Sequence, residues 1–377
     1  MRIDVIYGTR PELIKLAILI RKLKVVYGKK VRVISTGQHK EMLVGLEEWF
    51  QVTPDISLDI LQKNQSLGAL SGQLLIDISS CLLANRPDWV IVQGDTQSAF
   101  VGAQAAFYQG IKIAHVEAGL RTFKRNSPFP EEINRQFVSK LADLHFCPSE
   151  VSKNNLLEER VDPSSIEIVG NTVLDAVEYS RAIVDKEEIY PSCLHEIFKG
   201  EKRDSKVVVI TSHRRENFNG GLENIAQAVL KLAKTNPEVE FLFLVHHNPK
   251  VKEALSKLDN QLSNLTLVSP MNYQEFLATL NRCYFLLTDS GGLQEEAPSF
   301  RKPVLLLREV TERPEGLKAG CVKLVGADSN EIVIQAQNLL ESSEDYESMQ
   351  VDQNPFGNGN STDMIIARIK QAEIEGN

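Results

Sequence analysis

Cysteine is scarce and scattered in this chain: five residues, at positions 81, 147, 193, 283 and 321, with no CxxC pair among them. That spacing excludes a zinc-ribbon or thioredoxin-type motif and reads as reduced thiols in a cytoplasmic protein. No apolar run approaches the roughly 20 residues that a membrane span requires. The N-terminus leads straight into a strand pattern at 3–7 rather than the apolar region of a secretory signal. The expectation is a cytoplasmic protein with no membrane segment. Basic charge is in deficit: 42 Lys and Arg against 50 Asp and Glu give a net charge of −8, which argues against a nucleic-acid partner. There is no GxGxxG fingerprint, no short-period repeat and no low-complexity tract. His246 and His247 are adjacent, but neighbours on an extended chain point opposite ways and no third ligand stands at a usable spacing. Neither a metal nor a nicotinamide cofactor is expected.

What the chain does have is alternation. Its 377 residues are natural for two domains. Strand patterns at 3–7, 31–36, 89–92, 112–116 and 144–147 alternate with amphipathic helical stretches at 11–25, 41–50, 67–83, 98–108 and 131–141. After Gly170 the pattern restarts, with strands at 206–211, 240–245, 265–268, 284–287 and 304–307, and a helical tail at 365–374. Such alternation predicts an α/β chain with parallel sheets covered by helices on both faces. The expected division is 1–170 with the C-terminal helix 360–377, and 171–359. Parallel sheets carry function at the carboxyl ends of their strands, and the polar clusters fall there.

One stretch organises the rest: Thr288-Asp289-Ser290-Gly291-Gly292, after a strand and before a helix. Glycines let the backbone approach a ligand or take unusual φ values, and a helix N-terminus suits phosphate. Ser290 adds a hydroxyl, and Glu296, one turn in, could hold a ribose diol. The same pattern also serves a plain strand-to-helix turn. Gly8-Thr9-Arg10-Pro11-Glu12 follows the first strand, and Pro11 fits the first turn of a helix. Arg10 and Lys15 near that entrance could grip a diphosphate; the alternative is a capped helix with solvated charges. Asp95, Glu117 and Glu131 stand at the starts of successive loops or helices. If they converge, they raise one another's pKa, which suits acid/base work; Glu131 alone also fits helix capping. His213, in Ser212-His213-Arg214-Arg215-Glu216-Asn217, could donate to a diphosphate or help a leaving group. Periodicity places Phe276 in a helix core.

The segments LTDSGGLQEEAPSFRKPVLLLREVTERPEG, GTRPE, HVEAGLRT, PEEINR and HRREN together resemble the bacterial UDP-N-acetylglucosamine 2-epimerases of the non-hydrolysing type, from residue 8 to residue 326. The resemblance implies a GT-B fold, two Rossmann-like domains with a cleft between them closing on a nucleotide sugar, the last helix crossing back to the first domain. It implies catalytic roles for Asp95, Glu117, Glu131 and His213. It implies UDP binding by Arg10, Lys15, Phe276 (beside the uracil), Ser290, Gly291, Gly292, Glu296 and Arg313. Three departures stand out. The family's GDTTTT is Gly94-Asp95-Thr96-Gln97-Ser98-Ala99 here, its RDTTERPEG is Arg308-Glu309-Val310-Thr311-Glu312-Arg313-Pro314-Glu315-Gly316, and its frequent Gln at position 41 is Glu41.

The activity so implied is reversible C2 epimerisation of UDP-N-acetylglucosamine to UDP-N-acetylmannosamine, through anti elimination of UDP to a 2-acetamidoglucal and re-addition, for surface polysaccharide precursors. Rivals are a 2-epimerase of another UDP-2-acetamido sugar and a hydrolysing epimerase releasing N-acetylmannosamine and UDP. The hydrolysing relatives typically lack the HVEAGLRT and PEEINR blocks. The family resemblance further implies a homodimer, and a second UDP-N-acetylglucosamine as activator at Gln38, His39, Arg214 and His246.

Overall fold

The computed structural model describes residues 1–38, 40–60, 65–184, 189–200, 202, 204–218, 220–246, 248–256 and 262–375. They form two compact units, Met1–Ala176 together with Phe356–Asn377, and Val177–Pro355.

The first unit holds a seven-stranded parallel sheet of β1 (Ile3–Tyr7), β2 (Val31–Ser35), β3 (Ile56–Ser57), β4 (Trp89–Gln93), β5 (Lys112–Val116), β6 (Leu144–Cys147) and β7 (Ile166–Ile168), in the order β3-β2-β1-β4-β5-β6-β7. β1 and β4 are buried along their whole length. That is why β4 reads Trp89-Val90-Ile91-Val92 without alternation, while in β1 the one charged residue, the buried Asp4, is paired with Arg32. Strand order reverses between β1 and β4, whose pairing starts at Ile3 opposite Trp89. This switch point leaves a crevice beyond the strands' carboxyl ends. β3 and β7 have two and three residues, too few for a periodic signal, so the sequence pattern does not show them.

The helix Arg10–Tyr27 begins where it does because Thr9 is extended and its amide donates to the Glu12 carboxylate, with Pro11 in the first turn. The C-terminal helix Ser361–Glu375 packs on it, anchored by Asp175 Oδ1, which accepts from the Thr362 amide and hydroxyl. The helix Leu67–Asn85 corrects one sequence expectation: by length and composition it is apolar enough to cross a membrane. Polar residues at 71, 73, 77, 79 and 80 interrupt its apolar run, so no single run shows this, although the average over the whole helix does. Its Leu70, Leu74, Ile78 and Leu82 stripe is buried in the same cluster as Ala99, Ala103 and Ala106 of the helix Gln97–Tyr108, the i, i+4 packing of a globular unit.

The second unit repeats the plan with six parallel strands, β8 (Val207–Thr211), β9 (Glu240–Leu244), β10 (Leu265–Val268), β11 (Phe285–Thr288), β12 (Val304–Leu306) and β13 (Val322–Leu324), ordered β10-β9-β8-β11-β12-β13. Its core centres on Phe241, Phe243 and Phe285, all fully buried with Leu222, Ile225 and Val229 of the helix Gly221–Thr235. Each such phenylalanine contributes about 1.5–3 kcal/mol by burial. The order reverses between β8 and β11, which run in register to their ends, Thr211 opposite Thr288. The two hydroxyls there bond at 2.6 Å, so the loops after β8 and β11 leave the sheet side by side.

Candidate active site

In the first unit the loops after β1, β4 and β5 bring Lys15, Asp95, Glu117 and the start of the helix Glu131–Leu141 together. Glu117 follows β5 in left-handed backbone at φ 64°, a conformation that costs a non-glycine residue energy and is typical of functional turns. Its carboxylate takes a salt bridge from Lys15 and a hydrogen bond from Gln93 Nε2. Asp95 pairs with Arg135 Nη2 at 2.6 Å. Burial pushes the Asp95 carboxyl up to about 6; Arg135 and Lys15 oppose the rise, and the charges of Glu117 and Glu131 add to it. The turn before Asp95 is fixed by the buried His115, whose Nε2 lies 2.8 Å from the Gly94 carbonyl. Burial drives the His115 imidazole down to about 3, so it stays neutral and donates. Gly119, two residues beyond Glu117, has φ +84°, and a Cβ there would lie 2.2 Å from the Ser152 carbonyl oxygen; only glycine fits.

Glu131 does not cap its helix through its side chain. The neighbouring Glu132 does the structural work: it is buried and accepts from the Thr122 and Phe123 amides at 3.0 and 3.1 Å. Glu131 Oε2 is buried with no hydrogen-bond partner, a costly arrangement outside functional sites. Arg135, one turn after Glu131, is the group that sequence reading passed over; i, i+4 spacing on an exposed-looking helix gives no sign that it reaches Asp95.

Glu12 is the second such group. It is fully buried and accepts from the Gly8 and Thr9 amides through Oε2 and from Thr96 Oγ1 through Oε1. It therefore ties the β1 loop to the β4 loop. Burial raises its carboxyl to about 7 against the lowering by those donors. Arg10 lies half-buried at the start of the same helix.

In the second unit the centre is Asp289. Fully buried, its Oδ2 accepts from Ser212 Oγ and the amides of His213 and Arg214 at 2.8–2.9 Å, and from Asn217 Nδ2 at 3.0 Å. Its Oδ1 stands 3.2 Å from His213 Nδ1. The His213 ring stacks on His246, centroids 5.2 Å apart and planes within 18°. Ser290 precedes the short helix Gly291–Glu296. Neither Gly291 nor Gly292 has positive φ, so backbone freedom explains neither, and only at Gly291 is there a close neighbour. A Cβ on Gly291 would lie 2.8 Å from Arg313 Nη1 and 3.3 Å from Arg214 Nη2, and one on Gly292 would meet nothing within 4 Å.

Arg313, the residue before the short helix Pro314–Lys318, is largely buried and bonds Glu295 Oε1 at 2.6 Å. Arg308, Arg313 and the more exposed Arg214 gather on Glu312. Burial works against ionising Glu312, yet Arg313 and Arg308 hold its carboxyl down to about 2. The guanidiniums beside Gly291 are thus held in place before any ligand arrives. Glu296 and Phe276 are both buried, Phe276 within the helix Tyr273–Arg282.

Gln38 accepts from Ser98 Oγ at 2.7 Å, and Ser98 also bonds Thr36. Gln97 bonds Ser71 and Asn134, and Ala99 is buried. The residues that depart from GDTTTT are therefore engaged in packing within the first unit. His39 lies outside the described residues. Among the described residues no group of three or more His, Cys, Asp and Glu is placed to hold a metal.

Two Rossmann-like parallel sheets, each with its polar loops gathered at a switch point, define the GT-B class. The family model described as UDP-N-acetylglucosamine 2-epimerase matches residues 22–370. A UDP-N-acetylglucosamine 2-epimerase of Campylobacter jejuni is 41% identical over 368 residues, 97% of this chain and 96% of the relative. The crystal structure of the Neisseria meningitidis enzyme bound to UDP-GlcNAc superposes with TM-score 0.92 at 40% identity, covering 98% of this chain and 100% of that one. The Methanocaldococcus jannaschii enzyme in complex with UDP-GlcNAc and UDP gives TM-score 0.81 at 32% identity, over 98% and 100% of the two chains. The chain belongs to the UDP-N-acetylglucosamine 2-epimerase family.

The buried carboxyl of Glu12 has a measurable consequence. With its pKa raised from 4.5 to about 7, the folded protein keeps a proton that the unfolded chain releases. The associated stability is fully present below about pH 4.5 and is lost as pH rises through 7; Asp95, raised from 3.8 to about 6, has the same sign. Glu12→Gln can keep both amide bonds through its oxygen and donate to Thr96. Urea unfolding at pH 5 and pH 8 should show a fall in stability for the wild type, and a fall smaller by roughly 1–3 kcal/mol for Glu12→Gln. Equal slopes would mean that Glu12 is ionised throughout.

Proposed function

We propose that this enzyme epimerises UDP-N-acetylglucosamine at C2 without hydrolysis, by eliminating UDP and adding it back. The observation that carries the reading is the carboxylate cluster of Asp95, Glu117 and Glu131, with one carboxyl raised to about 6 and another oxygen buried without a partner. A group with a pKa near the working pH can both take and return a proton.

One carboxylate removes the C2 proton. The electron pair forms the C1–C2 double bond of a 2-acetamidoglucal as the C1–oxygen bond breaks, and the pair in that bond leaves with UDP. Addition of UDP with protonation at the opposite face of C2 gives UDP-N-acetylmannosamine, a surface polysaccharide precursor made in the cytoplasm. Arg10, Lys15 and His213, with the Ser290–Gly292 turn, stabilise the departing diphosphate. Phe276, Glu296 and Arg313 hold the uridine. No cofactor enters this scheme. The domains of this reading are the catalytic 1–170 with 360–377 and the UDP-binding 171–359.

Product formed in D₂O should carry deuterium at C2 by NMR. Asp95→Asn, Glu117→Gln and Glu131→Gln should each lower kcat by roughly 10²–10⁴. Complete retention of the C2 hydrogen would require a different mechanism, and free N-acetylmannosamine as the product would make the enzyme a hydrolase.

The protein is proposed to be a homodimer. The helices Leu67–Asn85, Gln97–Tyr108 and Glu131–Leu141 leave Ile76, Leu83, Phe107, Tyr108 and Phe137 more than half exposed, an apolar surface that a second copy would cover. Light scattering at micromolar concentration should give twice the chain mass of 42.2 kDa; a monomer mass contradicts the assignment.

A second UDP-N-acetylglucosamine is proposed as activator at Gln38, His39, Arg214 and His246. The reverse reaction from UDP-N-acetylmannosamine alone should then start slowly and accelerate when a little UDP-N-acetylglucosamine is added. A lag-free course, unchanged in Arg214→Ala, would show that no such site operates.

A further inference from the structure

The second unit contains a buried carboxylate with two distinct faces. Oδ2 of Asp289 is saturated by the four donors of the β8 loop, Ser212, His213, Arg214 and Asn217. Oδ1 is buried without an aligned hydrogen bond and faces one group, the His213 ring, whose Nδ1 stands at ion-pair distance, 3.2 Å. The opposite requirement, that the ring not rotate away, is met by stacking on His246. About a third of the His213 side chain is exposed, and with Nδ1 turned inward the exposed edge carries Nε2.

We propose that Asp289 is the positioning residue of His213: its Oδ1 keeps the proton of the imidazole on Nδ1, so that Nε2 is the nitrogen offered to the nucleotide sugar. A carboxylate can only accept, so at 3.2 Å a proton on Nδ1 is attracted where a bare Nδ1 lone pair would be repelled. With Nδ1 held against Asp289, a proton carried on Nε2 is donated to the diphosphate oxygen as the C1–oxygen bond breaks. On re-addition the proton returns to Nε2. Burial alone would raise the Asp289 carboxyl, but His213 and the loop donors outweigh it and hold the group below the ordinary range, which keeps it ionised for this role. The role rests on the reading of His213 given above. It goes beyond that reading in assigning Asp289, which sequence pattern marks only as a turn residue.

The two faces of Asp289 make the test selective. In Asp289→Asn the amide oxygen can take the place of Oδ2 and retain the loop's four donors. The NH₂ then stands at Oδ1, facing Nδ1. It cannot accept, so the imidazole must move its proton to Nε2, as when an amide replaces the aspartate of a catalytic triad.

Proton-detected ¹⁵N NMR of the wild-type holo-length chain should show His213 protonated at Nδ1; a neutral ring protonated only at Nε2 overturns the proposal without any variant. In Asp289→Asn the ring proton should be on Nε2. With UDP affinity by calorimetry changed less than about threefold, kcat should fall about 10²–10⁴-fold while KM stays near its original value. The double variant with His213→Gln should be no slower than His213→Gln alone, because Asp289 acts through the ring. Additive losses, or a fall confined to stability and UDP affinity, would make Asp289 a loop staple only. Inactive His213→Gln beside fully active Asp289→Asn sinks the positioning role alone. Fully active His213→Gln instead removes the catalytic reading of His213, and the ring tautomer then decides whether Asp289 orients it.

Discussion

A buried carboxylate stitches together the two loops at each switch point. In the first unit Glu12 holds the Gly8 and Thr9 amides with one oxygen and Thr96 with the other. In the second, Asp289 at the end of β11 holds the amides of His213 and Arg214 after β8. Parallel strands all end on one side of a sheet, so their loops converge there without being bonded to one another by the strand ladder. Something else must fix their relative positions, and an acceptor with two oxygens out of reach of water is well suited to it. The Asp95 turn, the start of the Arg10–Tyr27 helix, the His213 loop and the Ser290 turn all depend on these two groups.

The two stitches differ in charge, and the difference follows from their partners. Glu12 meets only neutral donors, and burial leaves its carboxyl near 7. Asp289 meets more donors and an imidazole, and its carboxyl is held low. A similar contrast separates the surrounding clusters. Around Asp95 the neighbouring carboxylates add to the effect of burial, raising the carboxyl to about 6. Around Glu312 the arginines outweigh burial and lower it to about 2. The first arrangement is suited to moving protons and the second to holding guanidiniums still, the division of labour that the proposed elimination of UDP requires.

The family's GDTTTT segment shows how a departure can be absorbed. Gln97 and Ser98 replace threonines, and both turn inward: Gln97 to Ser71 and Asn134, Ser98 to Thr36 and Gln38. Asn134 also donates to the Asp95 carbonyl, so the substituted glutamine supports the turn that presents the carboxylate.

The α/β class and the family were legible in the sequence, because strand and helix periods and the GTRPE, HVEAGLRT and DSGG blocks are local. Apolar runs such as β4 and the short β12 announce themselves; β3, β7 and β13 do not, since they are two or three residues long and β7 and β13 are interrupted by a charged residue. The glycines of DSGG were visible, with close approach to a ligand or unusual φ as their local reasons; φ is ordinary at both, and the guanidiniums of Arg313 and Arg214 beside Gly291 are what the packed loops add. Arg135 reaching Asp95, Glu312 gathering three arginines and Asp289 facing His213 join residues that lie 40, 99 and 76 positions apart at their widest. The sequence by itself determined which carboxylates, cations and glycines would stand at strand ends. Only the tertiary structure decided which of them touch, which are desolvated and so which way each pKa moves, because burial and pairing are properties of the packed loops rather than of any one segment.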